Sequence, residues 1–222
     1  MSAVRPTPTV EDYLGVIYTL RRDNEAIIGA RLAELLEVSA PTVTVTLKRM
    51  IRDGWIRMDD NKQIHLTDEG LLEAKSIVRR HMLTEWMLSR LLDIPWSQVH
   101  EEAHKIEHSI SPEVATRMQA RLEDPKCCPH GNPLPGHEEE VLSWQPLIDM
   151  QVGDRFIIRR VHEFGEDDRD LLSFLQKNNI LPEKQGVVKD KLDFNETLTI
   201  QIDEKSVPLG YKIAKLIYAT KL

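Results

Sequence analysis

The chain has 222 residues, 41% of them hydrophobic, and a formal net charge of −7; such a length admits one large domain or two to three small ones. No apolar run approaches the ~18 residues of a membrane span, and the opening "MSAVRPTPTV" lacks the apolar stretch of a signal peptide, so a cytoplasmic protein without a membrane partner is expected. The two cysteines, Cys127 and Cys128, are neighbours, which speaks against a disulfide framework.

Residues 9–22, "TVEDYLGVIYTLRR", set Val10, Tyr13, Leu14, Ile17 and Leu20 at three- and four-residue spacing, an amphipathic helix with Thr9 as its N-cap. Ala30 to Glu37 reads as a short second helix burying Leu32, Leu35 and Leu36. Ser39-Ala-Pro41 supplies a cap and an early-turn proline for a third. Within it, "TVTVTL" alternates with period two and is β-branched, a strand signal. The wider window decides for helix: Val43, Leu47, Met50 and Ile51 fall at i, i+4, i+7 and i+8, and Asp53-Gly54 closes the run.

Two short helices joined by a tight turn, the second polar on its outer face, describe a helix-turn-helix. "WIRM", the turn "DDNKQ" and "IHL" make a hairpin wing. Thr67 caps a long helix through Leu92, Trp96 to His108 forms the next, and Ser111-Pro112-Glu113 opens another that ends near Leu122. Asp124 to Gly136, "DPKCCPHGNPLPG", reads as a proline-rich, extended connection. Beyond Met150, "RFIIRRV", "QGVVKD", "TLTIQI" and "KLIYAT" are short strands, interrupted by the helix "RDLLSFLQKNN". A small β-barrel of roughly 70 residues is the economical fold. The fold class is mainly α with a small β domain.

The charge is uneven: −1 over 1–20, +1 over 21–62, −7 over 63–150 and 0 over 151–222. The acidic stretch also holds most of the histidines. It is either a solvated helical face or a cation site that needs its oxygen ligands. Within it, "VHEEAHKIEH" (99–108) contains H-E-x-x-H, the spacing of zinc peptidases. A metzincin would carry Gly and His where Glu107 and Ile110 stand, so an enzyme is not expected and the zinc hydrolase remains the alternative. His104, Glu107 and His108 instead fall at i, i+3 and i+4, on one helical face. Imidazole and carboxylate without sulfur suit Mn(II) or Fe(II).

The segments "EDYLGVIYTL", "RLAELLEVSAPTVTVTLKRMIRDG", "RRHMLTE", "VHEEAHKIEH", "SPEV" and "GNPLPG", in this order, resemble the metal-dependent repressors typified by the diphtheria toxin repressor and their manganese-responsive relatives. The resemblance implies a winged helix-turn-helix DNA-binding domain (1–72), a helical dimerisation and metal-binding domain with the proline-rich linker (73–145) and an SH3-like, FeoA-like barrel (146–222). It implies a transcriptional regulator, a repressor of metal-uptake genes, that binds palindromic double-stranded operator DNA as a homodimer when Mn(II) or Fe(II) is present, with no small-molecule substrate. A winged-helix regulator with purely structural metal is the rival.

By the same resemblance Asp12 joins His104, Glu107 and His108 in a primary site. Iron-type members carry Met in place of Asp12 and Cys in place of His104; Asp12 is the manganese-type residue, and His104 matches neither type. Gly15 stands where members with a paired-metal site carry Glu. An ancillary site, also open to Zn(II), would draw on His81, Glu85 and His100, with Cys128 and His130 replacing or supplementing the histidines and an acid from the barrel, Glu163 or Asp168, completing it. The alternative is that these are surface and linker residues. For DNA the expected face is Ser39, Pro41, Thr42, Thr44 and Val45, with Arg49, Arg52 and Lys62 near phosphates. Family members carry Gln where Val45 stands; Val can only touch a thymine methyl, unless it is a core residue.

Overall fold

The computed structural model describes residues 5–222; residues 1–4, part of the segment read as lacking a signal peptide, lie outside them. The described chain forms two compact units. One runs to His81 and takes in Ile106–Thr116; the other comprises Met82–Lys105 and Arg117–Leu222.

In the first unit, α1 (Pro8–Arg22) buries Val10, Tyr13, Leu14, Ile17 and Leu20 as the spacing predicts. It starts two residues before the expected cap, with Thr7 as N-cap. Pro8 explains the shift: its fixed φ suits a first helical position, where a missing N–H costs nothing. α2 (Gly29–Leu35) and α3 (Ala40–Arg52) form the helix-turn-helix. Ser39 Oγ accepts the Thr42 N–H at 3.3 Å, the expected cap. Val43, Leu47 and Met50 point inward, which settles the ambiguous segment as helix, whereas Ile51 is 42% exposed and not in the core.

The wing pairs β1 (Ile56–Met58) antiparallel with β2 (Ile64–Leu66). Its turn closes on Asp59 Oδ1, which accepts the N–H groups of Asn61 and Gln63, both at 2.9 Å. α4 (Asp68–Leu91) follows. Thr67 Oγ1 accepts from Gly70 N at 3.0 Å and donates to Gly54 O at 2.7 Å, so one hydroxyl ties the helix start to the end of the recognition segment. Thr67→Ala is expected to cost about 1 kcal/mol, lowering the melting temperature by about 2–4 °C; an unchanged thermal transition would show the cap to be redundant.

One helical expectation needs correction. The helix foreseen over Trp96–His108 is α5 (Val99–Ile106), followed by a 3-10 turn at Glu107–Ser109. Trp96 is engaged before the helix begins, donating Nε1–H to Pro129 O at 2.8 Å. Ile106 leaves helical geometry at φ −121°, where Glu107 and His108 are tied to residues far off in sequence. α6 (Pro112–Arg121) opens as expected, with Ser111 Oγ accepting Val114 N–H at 3.2 Å.

The stretch 124–136 is no open connection. Cys128, His130, Asn132 and Leu134 are buried. The loop closes on itself through Cys128 N–H to Asn132 O (2.8 Å) and Leu134 N–H to Lys126 O (2.8 Å). It then fastens to a neighbouring strand: Val161 N–H donates to His130 O at 2.9 Å, and Asn132 Nδ2 to Val161 O at 2.7 Å. Proline density misled here, because Asn132 supplies hydrogen bonds that a solvated linker would take from water.

The second unit carries an antiparallel sheet in the order β3-β8-β4-β5-β6-β7, built from β3 (Gln145–Pro146), β4 (Arg155–Val161), β5 (Gln185–Leu192), β6 (Thr197–Ile202), β7 (Lys205–Gly210) and β8 (Ile217–Lys221). α7 (Arg169–Lys177) packs Leu172 and Leu175 into the core of Phe156, Ile158, Val188, Leu198 and Ile200. A single turn, α8 (Tyr211–Ala214), joins the last two strands. Arg160 is 1% exposed, its guanidinium lying 4.2 Å from the centroid of the Tyr218 ring. No helix among the described residues is long and apolar enough to cross a membrane.

Candidate metal centres and nucleic-acid-binding face

Within the first unit, Asp12 on α1 and Glu107 and His108 on the 3-10 turn bring a ligand atom each to within 4.8 Å of one another. The orientation of His108 is set from outside this cluster. Its Nδ1 lies 2.5 Å from Glu11 Oε2, and the other Glu11 oxygen accepts from Arg80 at 2.8 Å. Glu11 thus fixes the ring so that Nε2 faces Asp12 Oδ1 at 3.4 Å and Glu107 Oε1 at 3.8 Å. A carboxylate holding the far nitrogen of an imidazole is the usual support of a metal-binding histidine. Glu107 is braced in turn by His81 Nδ1 through its other oxygen. His104 sits on the last turn of α5, in the second unit.

The second unit holds a deeper cluster. Glu85 and Glu166 are 0% and 1% exposed at their side chains, and His130 is 0%. Ligand atoms of Glu85, Cys128 and His130 lie within 4.8 Å of one another, as do those of Glu85, His100 and Glu166. Burial by itself would lower the His100 pKa; bonds to Asp167, Glu166 and Glu85 overcome it and raise the value well above the ordinary one. For His130, burial again pulls down and the charges of Glu166 and Glu85 win. Burial pushes the Cys128 thiol well up, helped by Glu85, Glu166 and Glu163. Without a cation these acceptors must keep their protons. The donor chemistry fits a divalent ion, which would replace those protons.

The barrel-side acid grouped within 4.8 Å of Glu85 and His100 is Glu166; Glu163 and Asp168, the expected candidates, have other neighbours. Asp168 Oδ1 caps α7, accepting Leu171 N–H at 2.9 Å. Glu163 lies 3.8 Å from Arg160. Four acids, Glu163, Glu166, Asp167 and Asp168, stand within six positions, and their spacing has no period that singles out Glu166.

The outer face of α3 presents Ser39, Pro41, Thr42, Thr44 and Val45, all exposed. Val45 is 69% exposed, which removes the core alternative. Thr44 Oγ1 donates to Ala40 O at 2.9 Å and Thr42 Oγ1 meets Ser39 Oγ at 2.8 Å, so both hydroxyls are engaged within the helix. Arg49, Arg52 and Lys62 are exposed, although Arg52 pairs with Asp53 at 2.7 Å and Arg49 reaches Thr7 Oγ1 at 3.2 Å.

Over residues 6–64 the chain matches the family described as iron dependent repressor, N-terminal DNA binding domain; over 67–136, iron dependent repressor, metal binding and dimerisation domain; over 145–221, the FeoA domain. It is 31% identical over 225 residues to the iron-dependent repressor IdeR of Mycobacterium tuberculosis, covering 96% of this chain and 97% of that one. The chain belongs to the diphtheria toxin repressor family. It is a metal-dependent, DNA-binding transcriptional repressor. The diphtheria toxin repressor of Corynebacterium diphtheriae is 38% identical over 131 residues, 59% of this chain and 58% of its own. A solved manganese-dependent transcriptional repressor in complex with manganese superposes with a TM-score of 0.85 at 29% identity, over 96% of this chain and 100% of that one.

Two residues of this repressor carry no clear signal in the sequence. Glu11 was overshadowed by its neighbour Asp12, although the two adjacent acids on one helix turn toward different partners, Arg80 and His108 against the cluster itself. Glu166 had no signal beyond its charge. Glu101, the general base of the peptidase reading, is half-exposed and holds Lys105 Nζ at 2.8 Å. That bond to Lys105 holds its carboxyl below the usual range.

Proposed function

We propose that this repressor is switched on by Mn(II), with Fe(II) as second choice, and that the switch joins Asp12, Glu107 and His108, with His104 as the fourth donor on the same run of helix and turn. The observation that carries this reading is the Glu11–His108 tether, which presents Nε2 to Asp12 and Glu107. An ion held there would bind α1 of the winged helix to the 3-10 turn. Glu11 only orients. The donors are oxygen and imidazole, a set that favours Mn(II) or Fe(II) over softer ions; the buried Glu85–His100–Cys128–His130–Glu166 cluster contains a thiol and is open to Zn(II).

The active form is a cytoplasmic homodimer on palindromic operator DNA controlling metal-uptake genes. Ser39, Pro41, Thr42, Thr44 and Val45 face the major groove, and Arg49, Arg52 and Lys62 the phosphates. With a net charge of only +1 over 21–62, phosphate attraction is modest and salt sensitivity moderate. The test is a gel shift against selected DNA in EDTA, Mn(II), Fe(II) and Zn(II). Binding that appears with Mn(II) and vanishes in EDTA is expected; equal binding in both would sink the switch.

No peptidase step belongs to this reading. Glu101→Gln is expected to leave metal affinity and operator binding within about twofold of the parent, since an exposed ion pair such as Glu101–Lys105 contributes little. Peptide hydrolysis that disappears in Glu101→Gln would revive the enzyme.

A further inference from the structure

The buried cluster of the second unit has the layout of two sites. His100 and His130 each turn Nε2 outward to a fixed partner: Asp167 Oδ1 at 3.2 Å for His100 and Trp96 O at 3.1 Å for His130. Both Nδ1 atoms therefore face inward. Between them stand two carboxylates, and each touches both rings. Glu166 reaches His100 Nδ1 through Oε2 at 2.8 Å and His130 Nδ1 through Oε1 at 3.5 Å. Glu85 Oε1 lies 3.1 Å from His100 Nδ1 and 3.4 Å from His130 Nδ1. The ring centroids are 6.4 Å apart and the planes meet at 78°.

A backbone carbonyl only accepts, so the His130 Nε2 that faces Trp96 O carries a hydrogen, and Nδ1 is the nitrogen turned to the two carboxylates. Two carboxylates facing two imidazole nitrogens in a dry site need positive charge between them, from ring protons or from metal ions that replace them. A carboxylate that offers one oxygen to each of two imidazoles is disposed as a bridge. The two ends also differ chemically. The His130 end adds Cys128, which shares the 4.8 Å cluster with Glu85 and His130. The His100 end has no thiol in its cluster, and Asp167 holds the far nitrogen of the ring. Sulfur favours Zn(II) or another soft ion, and carboxylate with imidazole favours Mn(II) or Fe(II).

We propose that this cluster binds two divalent cations at once, bridged by Glu85 and Glu166, a harder ion on the His100 side and a softer one on the Cys128–His130 side. Ions sharing bridging carboxylates sit about 3.5–4 Å apart in two-metal sites. The proposal deepens the ancillary cluster of the repressor reading and rests on it only for the presence of metal, not for the DNA response.

The test is made in the full chain carrying His104→Ala and His108→Ala, which removes both imidazoles of the first cluster. After loading with Mn(II) and Zn(II) together and desalting, elemental analysis should give two ions per chain. Cys128→Ser with His130→Ala should leave one, Mn(II), and His100→Ala should leave one, Zn(II). With Co(II) in place of Zn(II), the thiolate-to-cobalt absorption should persist in His100→Ala, which also shows that this variant keeps its loop folded. A single ion per chain before the second set of substitutions, or loss of all metal in either variant, would overturn the proposal in favour of one shared ion. Operator binding that ignores metal would defeat the regulatory reading while two ions per chain would still uphold this one.

Discussion

Asp12→Ala is expected to give a folded repressor that no longer answers Mn(II). The side chain is 29% exposed and belongs to the cluster rather than the core, so its removal opens no cavity. Its loss leaves the proposed donors His104, Glu107 and His108 with no ligand from α1, and an ion bound there no longer favours the docked position of that helix. An ion present at about 100 times its dissociation constant contributes about 2.7 kcal/mol to the state that binds it, roughly a hundredfold in population. That hundredfold is the gain in operator affinity that Asp12→Ala should lose. Asp12→Met should instead move the preference toward Fe(II), because a thioether is softer than a carboxylate. Circular dichroism controls for folding, and titration of operator binding with Mn(II) reads the effect. A normal Mn(II) response in Asp12→Ala would place the coupling elsewhere.

Gly131→Ala should be the most damaging single-methyl change in the second unit. Gly131 has φ +92°, in the region that L side chains avoid, and an added Cβ would stand 1.9 Å from Arg159 O and 2.8 Å from Arg160 Cα. Neither obstacle is the end of a flexible side chain. Both belong to the backbone of β4, so the loop must lift away from the strand. Strained backbone costs about 1–3 kcal/mol and overpacking about 1–3 kcal/mol more; at about 2–4 °C per kcal/mol the melting transition should fall by roughly 10 °C. Cys128 and His130 ride on this loop, so soft-metal binding should fail together with stability. A melting temperature within a degree of the parent would show that the loop can relax.

How much of this was legible in the sequence depended on whether the residues acted locally. α1, α3 and the wing could be read because their apolar spacing, the Ser39 cap and the Asp53-Gly54 stop are signals confined to a few positions. The "TVTVTL" segment shows how far spacing reaches: β-branching points to strand, the i, i+4, i+7 and i+8 spacing of a longer window points to helix, and the burial of Val43, Leu47 and Met50 bears the helix out. The metal-facing residues divide in the same manner. Glu107 and His108 were visible by spacing, but not the change from α to 3-10 geometry beneath them, which accompanies ties to Glu11 and His81 that lie far off in sequence. Glu166 was invisible for the same reason, since what distinguishes it from Glu163 and Asp168 is the depth of its burial and its reach to His100. The loop at 124–136 looked like a spacer because its prolines are local, whereas the contacts of Asn132 to Val161 and Glu166 are not.

The engaged hydroxyls of α3 carry one more consequence. With Thr44 donating to Ala40 O and Thr42 and Ser39 sharing one hydrogen bond, the exposed face around Val45 carries more methyl groups than free hydroxyl donors. Such a surface senses the C5 substituent of a pyrimidine and is nearly indifferent to the rest of the base edge. An operator rebuilt with uracil for thymine should bind less well though its base pairing is unchanged, and 5-methylcytosine at the same step should restore part of the loss. A regulator of this kind would be tuned to the chemical marking of its DNA as well as to its letters.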